Sequence, residues 1–377
     1  MDMKEGWEKR RFDEIMTPAR VERCGDRTDL PILSITMRSG IVEQRDRFSK
    51  TIASVDRSNY KIVKDGQLVI AFPIDEGLVY TQDVAKEGIM SPAYNIWDVD
   101  YSLVNRNFLV SYFHSRFAFD YYKAKLRGST QRRRSMDKED LLSMPIPVPP
   151  ISEQKRIVEE LDLLNGIIEK NKTQLEELDK LAQSIFYDMF GDPVTNEKGW
   201  NVKTLKDVST LINGRAYKQD ELLNEGKYKV LRVGNFFTNS SYYYSNLELE
   251  ENKYCDYGDL LFAWSASFGA FIWEGEKVIF HYHIWKVLYN ESLLNKVFYC
   301  YLLNTMTNSF MNDLHGIGMM HLTKEGMEKY KLPLPHLSLQ QEFADKISAI
   351  ESMKAKVRQS LKEAEQLFNS RMDFYFN

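Results

Sequence analysis

The chain matches itself. Shifted by 186 residues, Pro147, Pro149, Ile151 and Gln154 fall on Pro333, Pro335, Leu337 and Gln340. In the same register Ile157, Leu161, Leu164, Leu175 and Leu178 fall on Phe343, Ile347, Ile350, Leu361 and Ala364. Gly6-Trp7 followed by Phe12 and Ile15 matches Gly199-Trp200 followed by Leu205 and Val208. A middle block, Asp65-Gly66-Gln67-Leu68-Val69, echoes Tyr257-Gly258-Asp259-Leu260-Leu261. A repeat of this size is a whole domain plus a helix, far beyond the roughly 20–50 residues of a solenoid unit. The chain therefore folds as one architecture twice, and a duplicated domain implies a target with two similar parts.

Each copy opens as a mixed α/β region. Pro31 to Thr36, Gln67 to Phe72 and Tyr94 to Val99 are β-rich and bounded by Gly, Asp and Pro, so they read as strands. An aromatic-rich stretch from Asn107 to Leu126 reads as a helix, and Gly128 to Arg134 as a loop. Met144 to Pro150 must be extended, because its prolines fix φ and disfavour helix in the residues before them. The second copy repeats the plan. Strands are expected at Lys229 to Gly234, Asp259 to Trp264 and His281 to Leu288, a helix at Leu293 to Leu314, and a loop at His315 to His321.

A long helix follows each proline segment. Ser152 is the expected N-cap of the first, and Ser338 with Gln341 forms a candidate capping box for the second. Apolar residues then step by 4 and 3: Ile157, Leu161, Leu164, Ile168, (Asn171), Leu175, Leu178, Ala182, Ile185, Met189. The second seam is Phe343, Ile347, Ile350, (Lys354), Val357, Leu361, Ala364, Phe368. Two such heptad seams predict that the helices pair with each other. The second domain lies between the end of one helix and the start of the other, so the pair must be antiparallel. At about 1.5 Å per residue each helix is ~57 Å long. Asn171 and Lys354 are read as register or edge features, and Gly191-Asp192-Pro193 ends the first helix. The expected fold is α+β: two similar mixed α/β domains (1–150 and 193–337) joined by two long antiparallel helices (151–192 and 338–377) in a pseudo-twofold coiled coil.

Composition narrows the function. Cys24, Cys255 and Cys300 are scattered, with neither disulfide nor zinc spacing, which fits a reducing cytoplasm. The N-terminus is charged and is no signal peptide, and no apolar run reaches the roughly 20 residues of a membrane span. The net charge of −4 is unevenly spread. Residues 1–150 carry 24 Lys/Arg against 22 Asp/Glu, whereas residues 151–192 carry 5 against 10. A DNA-binding face needs local phosphate neutralisation, not a basic total.

The run Gly128-Ser-Thr-Gln131, Met136-Asp-Lys-Glu-Asp-Leu141 and Pro145-Ile-Pro-Val-Pro-Pro-Ile-Ser-Glu-Gln-Lys-Arg-Ile157 resembles the specificity (S) subunit of type I restriction-modification enzymes. His321-Leu-Thr-Lys-Glu325 and Leu332-Pro-Leu-Pro-His-Leu-Ser-Leu-Gln-Gln341 look like its second copy, and Gly6-Trp7-Glu8 and Gly199-Trp200-Asn201 like the family's domain starts. The second copy departs from the pattern, with Gln340-Gln341 for Glu-Gln and Gly316-Ile-Gly-Met for Gly-Ser-Thr-Gln. The resemblance implies that each domain is a target-recognition domain for one half of a bipartite site on double-stranded DNA. It implies that the helices set the gap and dock two methyltransferase (modification) subunits, to which translocase-nuclease (restriction) subunits are added. It further implies that this subunit catalyses nothing and has no cofactor of its own. The competing reading is a coiled-coil scaffold with two protein-binding heads.

The catalytic motifs expected of such an enzyme's active subunits are not found in the sequence. There is no Asn/Asp-Pro-Pro-Tyr/Phe motif (Ser91-Pro-Ala-Tyr94 is nearest) and no phosphate-binding Gly-Lys loop. His281-Tyr-His283 lacks a third metal ligand, and alternation on a strand would put both imidazoles on one face. DNA contacts are expected from Ser129, Thr130, Gln131, Arg132, Arg133 and Arg134, and from Arg20, Arg23, Arg27 and Arg38, with Arg45 and Arg47 similar. In the second domain the candidates are Arg215, Tyr217 and Lys218 on a Gly turn, then Arg232, Asn235, Ser265, Ser267 and His321. Arg, Lys and Asn carry the phosphate and base-edge donors that DNA recognition needs.

Overall fold

The heptad seams form two continuous helices, Ile151–Phe190 and Leu337–Phe376. The structure is a computed structural model that describes residues 5–27, 29–37, 39–47, 56–127, 135–238, 241–265, 267–312 and 323–377. It divides into two units, Met1–Lys172 with Gln359–Asn377, and Thr173–Arg358, so each unit holds a part of both long helices. Among the described residues no helix is long and apolar enough to cross a membrane.

In the first unit, strand Glu8–Arg11 pairs antiparallel with Pro145–Val148, tying the start of the domain to its exit. A four-stranded antiparallel sheet follows the order Met16–Pro18, Asn95–Val99, Leu68–Ile70, Val79–Thr81. Two hairpin-like pairs flank it, Leu33–Thr36 with Gly40–Glu43 and Lys61–Lys64 with Glu87–Met90. The single helix expected from Asn107 to Leu126 is two, Arg106–Phe113 and Arg116–Lys125. The break lies at His114-Ser115, where the Ser115 hydroxyl accepts the Ala118 N–H at 3.2 Å and caps the second helix. These helices close the core with Phe108, Tyr112, Phe113 and Tyr122, together with Ile157 and Leu161 of one long helix and Met372, Tyr375 and Phe376 of the other.

The second unit is built the same way. Asn201–Thr204 pairs with Lys331–Leu334, and an antiparallel sheet runs Ser209–Asn213, Ile284–Tyr289, Leu260–Ser265, Ser267–Ile272. A second sheet contains Tyr243–Ser245, Tyr228–Leu231, Val278–Phe280 and Tyr254–Cys255, with Tyr228–Leu231 and Val278–Phe280 parallel. The expected helix from Leu293 to Leu314 is again two within the described residues, Lys296–Thr305 and Thr307–Asn312. The strand expected from His281 starts only at Ile284, because residues 281–283 turn between two strands. The repeated middle block is explained by a shared turn. Gly66 and Gly258 have φ of +84° and +88°, a conformation that side chains resist, directly before equivalent strands.

The first long helix begins at Ile151, as expected, and the second at Leu337, one residue earlier than expected. The carbonyl of Pro150 accepts the N–H groups of Glu153 and Gln154, and that of His336 those of Leu339 and Gln340, so neither Ser152 nor Ser338 is the cap. Instead a buried carboxamide anchors each start. The Gln154 side chain accepts the Asn105 N–H at 2.6 Å and donates to the carbonyls of Leu103 (2.9 Å) and Pro149 (2.8 Å). Gln340 repeats all three bonds with Asn295 (2.8 Å), Leu293 (3.0 Å) and Pro335 (2.8 Å). Both glutamines are fully buried. The counterpart of Gln154 is therefore Gln340, and the counterpart of Glu153 is Leu339.

Within each unit the long helices run antiparallel and bury their seams. In the first unit Asn171 Nδ2 donates to Ser360 Oγ at 3.1 Å, and Tyr375 donates to Glu160 at 2.6 Å beside Arg371. In the second, buried Lys354 meets Asp179 at 2.5 Å across the pair and Glu351 at 2.6 Å on its own helix. These polar seam positions are thus satisfied by the facing helix, as register features require. Towards its end the first helix departs from the expected seam. Phe186 and Phe190 are buried, while Ile185 and Met189 are only partly so. An α-helix drifts relative to a strict heptad, and the drift turns these rings onto Phe298 and Phe343 of the second core. Gly191, at φ +73°, ends the helix as expected.

The two glutamine anchors predict contrasting effects for adjacent residues. Gln340→Ala strands one N–H and two carbonyls inside the second unit and should cost about 3 kcal/mol. Gln341→Ala, at an exposed position, should cost less than ~1 kcal/mol. Chemical denaturation of the two variants checks this, and equal losses would contradict it.

Candidate nucleic-acid interface

In the first unit the helix Arg116–Lys125 leads directly into a two-stranded antiparallel stem, Leu126–Arg127 with Ser135–Met136. The sequence between the stem strands is Gly128 to Arg134. Ser129, Thr130, Gln131, Arg132, Arg133 and Arg134 lie outside the described residues, as do Arg38 and His321. The stem itself is tied down by charge. Lys125 meets Asp140 at 2.8 Å, and Arg127 meets Asp137 at 2.8 Å and Asp140 at 3.6 Å. The Tyr121 hydroxyl adds a bond to the Asp140 carbonyl at 2.7 Å. The residues that flank the three arginines in sequence are thus braced by ion pairs.

The other basic candidates of this unit differ in how far their charge is available. Arg23 donates to the Asn59 carbonyl at 2.7 Å. Arg27 lies between Asp29 (3.3 Å) and Glu87 (3.4 Å), and Arg45 pairs with Glu43 at 2.8 Å. Arg20 is exposed and has no hydrogen-bond or ion-pair partner among the described residues. An arginine already paired with a carboxylate offers a phosphate less than a free one does, because the existing pair must be broken first.

In the second unit Arg215 forms a two-pronged pair with Glu221, at 2.8 and 2.7 Å. Glu221 also accepts the Lys218 N–H at 2.8 Å. These donors, Arg215 first, pull the Glu221 carboxyl down to about 2. Tyr217 stacks on His281 with ring centroids 6.2 Å apart, and the Lys218 side chain is exposed. Ser265 and Ser267 face each other across the tip of the hairpin Leu260–Ser265/Ser267–Ile272, with Ser265 buried.

Arg232 and Asn235 are brought together with residues far away in sequence. The parallel register sets Leu231 beside Phe280, so Arg232 and His281 continue side by side beyond the strands. The His281 N–H bonds the Leu231 carbonyl at 2.9 Å. Arg232 lies over the Tyr243 ring at 5.0 Å, and the imidazoles of His281 and His283 are 4.8 Å apart. These groups, with Asn224, Asn235 and Tyr242, line a cleft of about 660 Å³. Burial, then the neighbouring His283 and Arg232, push His281 down to about 4, so it is neutral at neutral pH. The two histidines share the cleft because a turn presents them, not the strand face expected from alternation. Asn224 was not a candidate from sequence: nothing local marks it, and only the fold brings it to the cleft. Among the described residues no group of three His, Cys, Asp or Glu is placed to hold a metal.

The Arg215–Glu221 pair has a direct signature. A carboxylate with a depressed value stabilises the fold above its ordinary range, and that contribution disappears as pH falls through about 2. NMR titration of the Glu221 carboxyl should therefore find a midpoint near 2, moving upward in Arg215→Ala without reaching the ordinary value, since the Lys218 N–H remains. A midpoint unmoved by the substitution would contradict the pairing.

The comparisons with known proteins agree with one another. The family model for the type I restriction modification DNA specificity domain matches the chain twice, at residues 4–180 and 197–366. The MjaVIII specificity subunit of a type I restriction enzyme from Methanocaldococcus jannaschii is 25% identical over 284 residues, 66% of this chain and 65% of that protein. The EcoBI specificity subunit from Escherichia coli is 25% identical over 166 residues, 42% of this chain and 35% of that protein. The matches thus span about two thirds of the first relative and about one third of the second. Among solved structures, a chain from work on complex assembly and conformational transition of the type I R-M system aligns over 100% of this chain and 99% of its own, with TM-score 0.62 and 16% identity. The type I restriction-modification S subunit from M. genitalium aligns over 100% and 97%, with TM-score 0.56 and 13% identity. These two likenesses concern the fold. With its domain model matched twice over most of the length, this chain belongs to the type I restriction modification DNA specificity family.

Proposed function

We propose that the chain is the DNA sequence-specificity subunit of a type I restriction-modification complex. Residues 1–150 and 193–337 act as two target-recognition domains, each reading one half of a bipartite site on double-stranded DNA. Residues 151–192 and 338–377 are the helices on which two methyltransferase subunits dock, and translocase-nuclease subunits join that assembly. The chain is a non-catalytic member of the complex, working in the cytoplasm. It binds no cofactor of its own, and the methyl transfer to adenine belongs to its partners.

The observation that carries this reading is the duplication, which extends from the domain cores to the glutamine anchors of the helices. It also extends to surface residues. Ile167 and Met353 occupy equivalent positions of the two helices, as do Leu181 and Leu367, and all four are 46–51% exposed. Leu163, on the first helix beside Ile167, is 71% exposed. Apolar side chains left in water at matched positions suit two copies of one protein partner. A scaffold with two protein-binding heads gives no reason for an arginine-rich sequence between two stem strands.

Mapping methylated adenines in the host genome, with and without the gene, tests the proposal. The expected result is one motif of two short blocks separated by a fixed unspecified gap, lost when the gene is removed. A methylation pattern identical in both strains would contradict it.

A further inference from the structure

We propose that the cleft beside Arg232 is where the second recognition domain grips its half of the DNA target, with Arg232 taking a backbone phosphate and Asn224 and His283 facing a base edge. The inference rests on the DNA-specificity function proposed above and names the residues that would carry it in this unit.

The second domain lacks the basic run of the first. The loop sequence Gly128 to Arg134 holds three arginines, whereas the corresponding residues 313–322 hold no lysine or arginine. A domain on DNA still needs phosphate contacts for position and affinity. Several cations of the unit are already paired with carboxylates. Arg215 pairs with Glu221, Lys227 with Glu248, Lys229 with Glu276, Lys277 with Glu251 and Lys286 with Asp259. Arg232 has no carboxylate partner among the described residues; its guanidinium lies over the Tyr243 ring. That contact orients the group without cancelling its charge.

The surroundings suit DNA. Among the described residues no carboxylate lines the cleft, so none of them repels a phosphate. The volume of about 660 Å³ admits a nucleotide-sized group. The imidazoles and the Asn224 amide offer donors and acceptors, and an Asn amide matches the paired donor and acceptor of adenine. Burial keeps His281 uncharged at neutral pH, whereas the Arg232 guanidinium carries a permanent positive charge. One such contact should release about one counterion on binding. Arg232 and His281 directly follow the paired residues Leu231 and Phe280, so the contact is anchored at the end of a parallel strand pair.

The test uses the full chain and a pool of random DNA duplexes, with bound sequences recovered by selection and the affinity for the best duplex measured across salt. Arg232→Ala should weaken binding to every duplex and lower the slope of log affinity against log salt by about 0.9, and Arg232→Lys should keep the slope. Asn224→Ala should blur one half of the recovered motif and leave the other half and the slope intact. Lys227→Ala, whose charge is already paired, serves as the control and should match wild type. An unchanged slope in Arg232→Ala, or a motif blurred in both halves by Asn224→Ala, overturns the inference while leaving the DNA-specificity reading in place. If the wild-type chain recovers no motif at all, that reading fails and this inference falls with it.

Discussion

Each unit depends on a buried glutamine carboxamide at the point where a strand leaves the domain and a long helix begins. Gln154 holds Leu103, Asn105 and Pro149 together, and Gln340 holds Leu293, Asn295 and Pro335. A carboxamide can donate and accept at once, so a single side chain satisfies three backbone groups from two segments that would otherwise be stranded in the interior. Asn105 and Asn295 are also the caps of the helices that close each core. The anchor therefore fixes the angle at which the long helix leaves the domain, and with it which helix face is buried and which is left exposed.

Around that shared frame the two units diverge where function requires it. The antiparallel sheets, the paired entry and exit strands and the split core helix recur. The surfaces do not. The sequence of the first unit has a run of three arginines between its stem strands, and that of the second is apolar and histidine-bearing at the corresponding place. In the second unit Arg232 instead stands with Tyr242, Tyr243, His281 and His283 at a cleft beside a parallel strand pair. A duplicated scaffold with unlike surfaces is what recognition of two different half-sequences demands.

Much of this was legible in the sequence because it is local or periodic. The seams appear as 4-3 spacing, the turns at Gly66 and Gly258 as glycines before apolar runs, and the proline strands as a run that cannot be helix. The helix breaks at His114-Ser115 and near Met306 were hidden because the aromatic spacing continues across them. The end of the first seam was misread because Ile185 and Phe186 are both apolar, and only packing against Phe343 and Phe298 chooses between them. The cleft was the least visible feature. Arg232 and His281 meet through a parallel pairing of strands distant in sequence, which leaves no local mark, and Asn224 has no pattern around it at all.

The central claim is that the two domains read DNA independently. It is tested most directly by exchanging residues 1–150 for those of a relative with a different target and mapping the adenines the hybrid complex methylates. The account predicts a new motif in which one half changes and the other half is retained. A motif changed in both halves, or in neither, would contradict it.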